Sequence, residues 1–180
     1  MTRTVFQLLG GMALVLAAFA LSPAMAADPP AKQAAAPAMA PPSTSTFLTN
    51  TVAANLFEIE SSKVALTKTK SDKVKSFANL MVSDHTKAGT KFKQAVTDAK
   101  LTPPAEKLDA KHQALLDDLK KKDGTAFDTA YVKAQHDGHV ETVAMFEAYA
   151  KGGDNTRLKA FANEMLPTLK MHLDQVSKLK

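Results

Sequence analysis

Between Phe47 and Lys180 the apolar residues recur every three or four positions, and no stretch alternates with the period of a strand. The pattern predicts an all-α fold of four long helices and one short one. The first runs from about Phe47 to Thr69, with Val52, Ala53, Leu56, Ile59 and Val64 inward. Ser71-Asp72 caps a second that continues to about Lys100. Thr102-Pro103-Pro104 breaks the chain and opens a shorter helix carrying Leu108, Leu115, Leu116 and Leu119, closed by Gly124. Thr125 and Asp128 resemble a capping arrangement for a helix from Ala126 to Ala150, with Phe127, Tyr131, Ala134, Gly138, Met145 and Tyr149 inward. Gly152-Gly153 ends it. Asp154-Asn155 then caps a last helix to about Leu179, with Leu158, Phe161, Ala162, Met165, Leu169, Leu173 and Val176 inward. Two tight hairpins joined by a long connector with its own short helix is the connectivity of a ferritin-like four-helix bundle. A plain up-down bundle would need no such connector.

Several polar residues interrupt these apolar faces. His85 falls in the middle of the stripe formed by Val74, Phe77, Ala78, Met81, Val82, Ala88, Phe92 and Val96. Burying an imidazole among hydrocarbons is costly unless its ring nitrogens find partners. At about 100° per residue, His172 lies near the edge of the last stripe. His139 is at the margin of its own, on the side of Gln135, Thr142 and Phe146. Glu60 lies inside the first stripe, between Leu56 and Val64, with Glu58 on the opposite side. Asp84 borders the His85 stripe and is placed to hold a histidine ring from behind. With the second hairpin inverted by the crossover, Glu60, His85, His139 and His172 fall within about 12 Å of one another along the bundle axis. They are the candidate metal ligands.

Iron, zinc and copper are the ions this donor set admits. Met81, Met145 and Met165 on core faces invite copper in particular, although methionine is also a common core filler. The competing reading satisfies each histidine by an internal hydrogen bond and leaves a structural or interaction module. His112, on the inward side of the connector helix, and His136, on a more polar face, are expected to be structural or solvent-facing. Pro167 is expected to kink the last helix by removing one backbone hydrogen bond. There is no GxSxG, no cysteine nucleophile, no glycine-rich phosphate loop and no HExxH, so hydrolase and nucleotide chemistry are not expected.

The beginning of the chain speaks to compartment. Arg3 precedes an apolar run from Val5 to Leu21, and Ala24-Met25-Ala26 has the small residues a signal peptidase reads. Residues 1–26 are thus expected to be a signal peptide cleaved after Ala26, giving a periplasmic protein. Residues 27–46 are rich in Ala, Pro, Ser and Thr and read as a disordered tether, leaving 47–180 as one domain. The chain contains no cysteine, which rules out disulfides and a lipid-bearing cysteine. Lys and Arg number 23 against 18 Asp and Glu; losing Arg3 with the leader lowers the net charge from +5 to +4. That excess is spread along the helices, there is no tryptophan, and nucleic acid is not an expected partner. Neither is a membrane span after leader removal. Envelope components or a second copy of the chain are the partners left open.

The runs FEIESSKVAL, VKSFANLMVSDHT, GTAFDTAYV and GHVETVAMFEAYAKGGDNTRLKAFANEMLPTLKMHL resemble, in this order, an exported bacterial domain of unknown function catalogued as family 4142. Its most specific parts are Asp84-His85, Phe127-Asp128, His139, and Leu166-Pro167 followed by His172. The resemblance implies export and a ferritin-like bundle, and brings no activity with it. Members often carry an outer-membrane label, with outer-membrane association as its implication, yet β-barrel strands are missing from this pattern. The paired Glu-x-x-His motifs of di-iron ferritins are also missing, since Val82 and Leu169 stand three residues before His85 and His172. Ferroxidase activity is therefore not expected. The function expected is that of an exported binding or stress-related envelope protein holding a transition metal in an interior Glu/His cluster. A metal-dependent redox enzyme ranks behind both that and the structural module.

Overall fold

The computed structural model describes residues 40–179. The expected leader and most of the expected tether lie outside them. The described residues form five helices and no strand: α1 (Thr44–Lys68), α2 (Asp72–Asp98), α3 (Ala110–Lys120), α4 (Gly124–Gly152) and α5 (Thr156–Ser177). None is long and apolar enough to cross a membrane.

Side-chain caps fix most of the starts. Ser43, Ser71, Asp109 and Asn155 each accept a hydrogen bond from the backbone N–H three residues on, an arrangement that stabilises a helix by about 1 kcal/mol. The Ser43 cap starts α1 at Thr44, three residues earlier than the composition of the tether suggests. Asp109 starts α3 well after Pro103-Pro104, because residues 101–109 run as an irregular segment along the bundle. Gly124 opens α4 instead of closing α3. Its φ of +55° is the left-handed conformation glycine tolerates. Asp128 is consequently inside α4 and caps nothing. The last helix continues without a break through Pro167.

Contacts at the helix ends set the topology. Lys68, at the end of α1, donates at 2.8 Å to both the Lys122 carbonyl and the Asp123 carboxylate at the start of α4. Thr44, at the start of α1, bonds the Tyr149 hydroxyl near the end of α4 and the Asp154 carboxylate beyond it. So α1 and α4 are antiparallel, and the two hairpin turns lie at opposite ends. Between α2 and α5 the ion pair Lys91–Glu164, at 2.7 Å, and the Phe92–Phe161 pair, with centroids 5.5 Å apart, give the same antiparallel sense. Residues 99–123 must then carry the chain the length of the bundle, with α3 packed on α1 and α4. That is the single crossover of a ferritin-like bundle.

The apolar core is divided. One cluster joins Phe57, Phe77, Met81, Leu119, Phe127 and Tyr131 near the α1–α2 turn. The other joins Phe47, Phe92, Phe146, Tyr149, Leu158 and Phe161 near the α4–α5 turn. Fully burying one such side chain contributes about 1.5–3 kcal/mol, so each cluster is a substantial source of stability. His85, His139 and His172 lie between them in sequence on all three of their helices, forming a polar layer where the two hydrocarbon regions would otherwise meet.

Helix α1 departs from its expected face. The fully buried positions are Phe47, Leu48, Thr51, Ala53, Phe57, Glu58, Ser61, Ser62 and Ala65. Of the five inward positions predicted, only Ala53 is fully buried; Val52, Leu56, Ile59 and Val64 are half-buried. The crossover explains the rotation. With α3 packed along it, α1 has apolar neighbours on a second side, and its interior face is free to carry polar groups.

Candidate metal centre

Helices α2, α4 and α5 each supply one histidine, and all three rings are buried: His85 is 6% exposed, His139 and His172 1%. Their centroids are 5.4, 5.5 and 5.7 Å apart, a nearly equilateral triangle. One possible ligand nitrogen from each ring lies within 4.8 Å of the others. Among the described residues this is the group of three or more histidine or acidic side chains so gathered.

Each ring is held through one nitrogen. His85 Nδ1 lies 3.0 Å from Asn55 Oδ1 on α1, His139 Nδ1 2.8 Å from the Gln135 carbonyl one turn back in α4, and His172 Nε2 3.2 Å from Asp84 Oδ2 on α2. All three partners are oxygen acceptors, so the histidine nitrogen donates in each case. In a neutral imidazole the other nitrogen must then carry a lone pair. Those nitrogens, Nε2 of His85 and His139 and Nδ1 of His172, are buried without a hydrogen-bond partner. A buried polar atom left unpaired costs roughly 1–3 kcal/mol, and here three are grouped.

The electrostatics keep the rings neutral. Burial lowers His85 well below the ordinary histidine value of 6.5, with His139 and His172 adding repulsion. His139 is brought down to about 4, chiefly by burial, against the hydrogen bond to Gln135 that raises it. His172 is lowered by burial too, although Asp84 pulls the other way. Neutral imidazole is the ligating form.

Glu60 does not join the histidines. It is half-exposed and paired with Lys63 at 2.8 Å. Glu58, read as facing away, is the carboxyl that is buried, 4% exposed, with Oε1 3.7 Å from His139 Nδ1 and Oε2 unpartnered. Desolvation raises it to about 8, partly offset by Gln135, so near neutral pH it is mainly the uncharged acid. It approaches α4 closely enough that a Cβ on Gly138 would lie 3.2 Å from its Oε1. Asp84 faces His172, while His85 is held by Asn55, a residue the apolar pattern does not single out. The missed signal was polar periodicity: Thr51, Asn55, Glu58 and Ser62 recur at the spacing of one helix face. On that face the Ser62 and Tyr131 hydroxyls share a 2.8 Å hydrogen bond, and Gln135 donates to Ser61 at 3.0 Å.

The other two histidines are apart from the cluster. His112 is bound to Asp109 at 2.9 Å and packs against Phe57, and His136 contacts Asp137 at 3.1 Å. Met81 and Met165 are buried and Met145 half-buried; Met165 borders the same cavity as the histidine triad. That cavity, of about 290 Å³, reaches from the triad along α2 to Val96 and to Pro103-Pro104 of the crossover.

Neither the curated proteins nor the solved structures include a match to this chain. A family model matches residues 28–179, which include all five helices, and the chain belongs to that family, described as a domain of unknown function (DUF4142).

Proposed function

We propose that this protein binds one divalent transition-metal ion through Nε2 of His85, Nε2 of His139 and Nδ1 of His172, with a further coordination position open to the adjoining cavity. The observation that carries the reading is the pairing pattern of the rings: each donates outward to a fixed oxygen and leaves its other nitrogen buried and unsatisfied. Oxygen acceptors behind ligating histidines set tautomer and orientation in metal sites generally. Nitrogens, one from each ring, that lie within 4.8 Å of one another have a common point no more than about 2.8 Å from each, against about 2.0–2.1 Å for a zinc–imidazole bond. Closing that gap takes shifts of under about 1 Å. Three neutral imidazoles suit zinc, iron, copper or nickel, whereas calcium and magnesium take oxygen ligands. The leader-like sequence of residues 1–26 supports export, which would place the site in the cell envelope.

The test is elemental analysis of protein purified without an affinity tag, alongside His85→Ala. One metal per chain, lost in the variant, is the expected result; substoichiometric metal unchanged by the substitution overturns the reading. Export is checked by the intact mass of the protein from cells, expected to begin at Ala27.

A further inference from the structure

Three carboxyl groups line the cavity beside the triad: Glu58 from α1, Asp84 from α2 and Glu106 from the crossover. Two of them are engaged. Asp84 accepts the Nε2–H of His172 through Oδ2 and pairs with Lys87 through Oδ1. Glu106 is exposed and pairs with Lys93 at 2.6 Å. Glu58 differs from both, being 4% exposed with its Oε2 buried and without a hydrogen-bond partner. That orphaned oxygen carries a cost of the same kind as the unpaired nitrogens of the rings, and Glu58 borders the same space as they do.

Helix α1 is the one long helix that gives the triad no histidine, and its polar face meets the rings instead. Asn55 holds His85. Glu58, three residues on and on the same face, approaches His139 with Oε1 3.7 Å from Nδ1. Gly138, the residue before His139, has no side chain to keep it away: a Cβ there would lie 3.2 Å from Oε1. The carboxyl is thus at the level of the triad, within 3.7 Å and one ring's width of the ligating Nε2. It stands apart from the three nitrogens gathered within 4.8 Å of one another, and a change between staggered rotamers of its own side chain is the movement that brings it to them. Met165, the soft donor in the cavity wall, is two turns from His172 on α5, about 10 Å along the axis.

Resting on the metal reading above, we infer that Glu58 is the fourth protein ligand: when the ion binds, its carboxylate turns past the edge of the His139 ring and takes the coordination position open to the cavity. Each of the four long helices then supplies one ligand. Carboxylate oxygen and imidazole nitrogen are both ordinary zinc ligands, and four protein atoms make the closed kind of site that holds an ion, as opposed to the open kind used for catalysis.

Cobalt(II) is the probe, because its visible absorption responds to a change of ligand, and azide reports whether a coordination position is free. Azide is expected to leave the spectrum of the cobalt-loaded wild-type protein unchanged, since Glu58 fills the position a small anion would take. Glu58→Ala should bind cobalt at least about tenfold more weakly in competition with a chelating dye, no less than the usual loss on removing a group behind a ligand. Its cobalt spectrum should shift saturably with azide. Glu58→Gln keeps the volume of the side chain and should show both effects if the alanine variant does not fold. Azide acting on wild type and variant at the same concentrations, or a variant with wild-type cobalt affinity, overturns the ligand assignment and leaves the metal reading standing. Weaker cobalt binding without an azide response makes Glu58 a positioning residue for His139 and overturns the assignment as well. Failure of the wild-type protein to bind cobalt or zinc at all overturns both readings.

Discussion

Asp84 and His172, 88 positions apart, meet across the α2–α5 interface, where the Asp84 carboxylate accepts the Nε2–H of His172 at 3.2 Å. The bond turns Nδ1 of the same ring into a lone-pair donor. It also places a negative charge next to a ring whose neutral form burial favours. Replacing Asp84 by alanine removes both orientation and charge while leaving the three rings present. Metal affinity is expected to fall about 10- to 100-fold, the usual effect of losing the group behind a ligating histidine. Competition against a chelating dye measures it, and an unchanged affinity would show that the Asp84 bond has no part in binding.

The metal-free protein should be most stable near pH 6.5. Below that value the unfolded chain protonates its histidines at the ordinary 6.5, whereas the three buried rings stay neutral, His139 down to about 4. The unfolded state then holds more protons, so stability falls as pH falls below 6.5, with His139 alone contributing about 1.4 kcal/mol per pH unit until about 4. Glu58 acts in the opposite sense. It keeps its proton in the fold up to about 8 but loses it near 4.5 when unfolded, so its contribution is full below 4.5 and is lost as pH rises through 8. Between 4.5 and 6.5 His85 and His139 together outweigh the one glutamate, and His172 acts in their sense; above 6.5 the glutamate remains alone. Urea titrations across this range should give a maximum, and Glu58→Gln should flatten the alkaline side. A monotonic profile in the wild-type protein would contradict this assignment of charges.

How far such assignments can be read from sequence varies by helix, for a physical reason. α2 and α5 present one face to the core and the other to water, so their apolar stripes point inward, and His85 and His172 stand out as intruders. α1 lies between the bundle and the crossover helix. Its hydrocarbon residues Leu56, Ile59 and Val64 are drawn to its flanks, and the interior receives Thr51, Glu58, Ser61 and Ser62. A rule that places apolar residues inward therefore selects Glu60 and rejects Glu58. The start of α3 was hidden similarly, since Pro103-Pro104 is a strong helix-opening signal, yet the Asp109 carboxylate that accepts the His112 N–H decides the boundary.

The end of α2 offers a test independent of the proposed metal site. Lys100 has φ of 57°, its N–H bonds to the Thr97 carbonyl at 2.9 Å, and Leu101 N–H bonds to the Val96 carbonyl at 3.1 Å. This is a Schellman ending with lysine at the position glycine usually takes. A side chain in the left-handed region costs about 1–2 kcal/mol, part of which is returned by glycine's greater loss of freedom on folding. Lys100→Gly is expected to raise stability by up to about 1 kcal/mol in chemical denaturation, without altering metal content. Destabilisation would mean that the lysine side chain makes a contribution larger than the strain it imposes.

On the proposed metal reading, the polar layer sets function against stability. Leucine at position 85 would bring hydrocarbon between the two apolar clusters and remove one unpaired buried nitrogen, whose cost is about 1–3 kcal/mol. Asn55, half-buried, would lose its ring partner but can turn toward solvent. In the presence of a strong chelator His85→Leu should therefore be as stable as the wild-type protein or more so, by an amount up to that cost. With metal added the order should reverse, because an ion that binds only the folded state stabilises it by about 2.7 kcal/mol at a hundred times its dissociation constant, and the variant has lost a ligand. Thermal unfolding of both proteins with chelator and with zinc gives the four values required. If zinc leaves the wild-type midpoint where the chelator put it, the three histidines are not held apart from hydrocarbon for the sake of an ion, and the crossing of stabilities will not be seen.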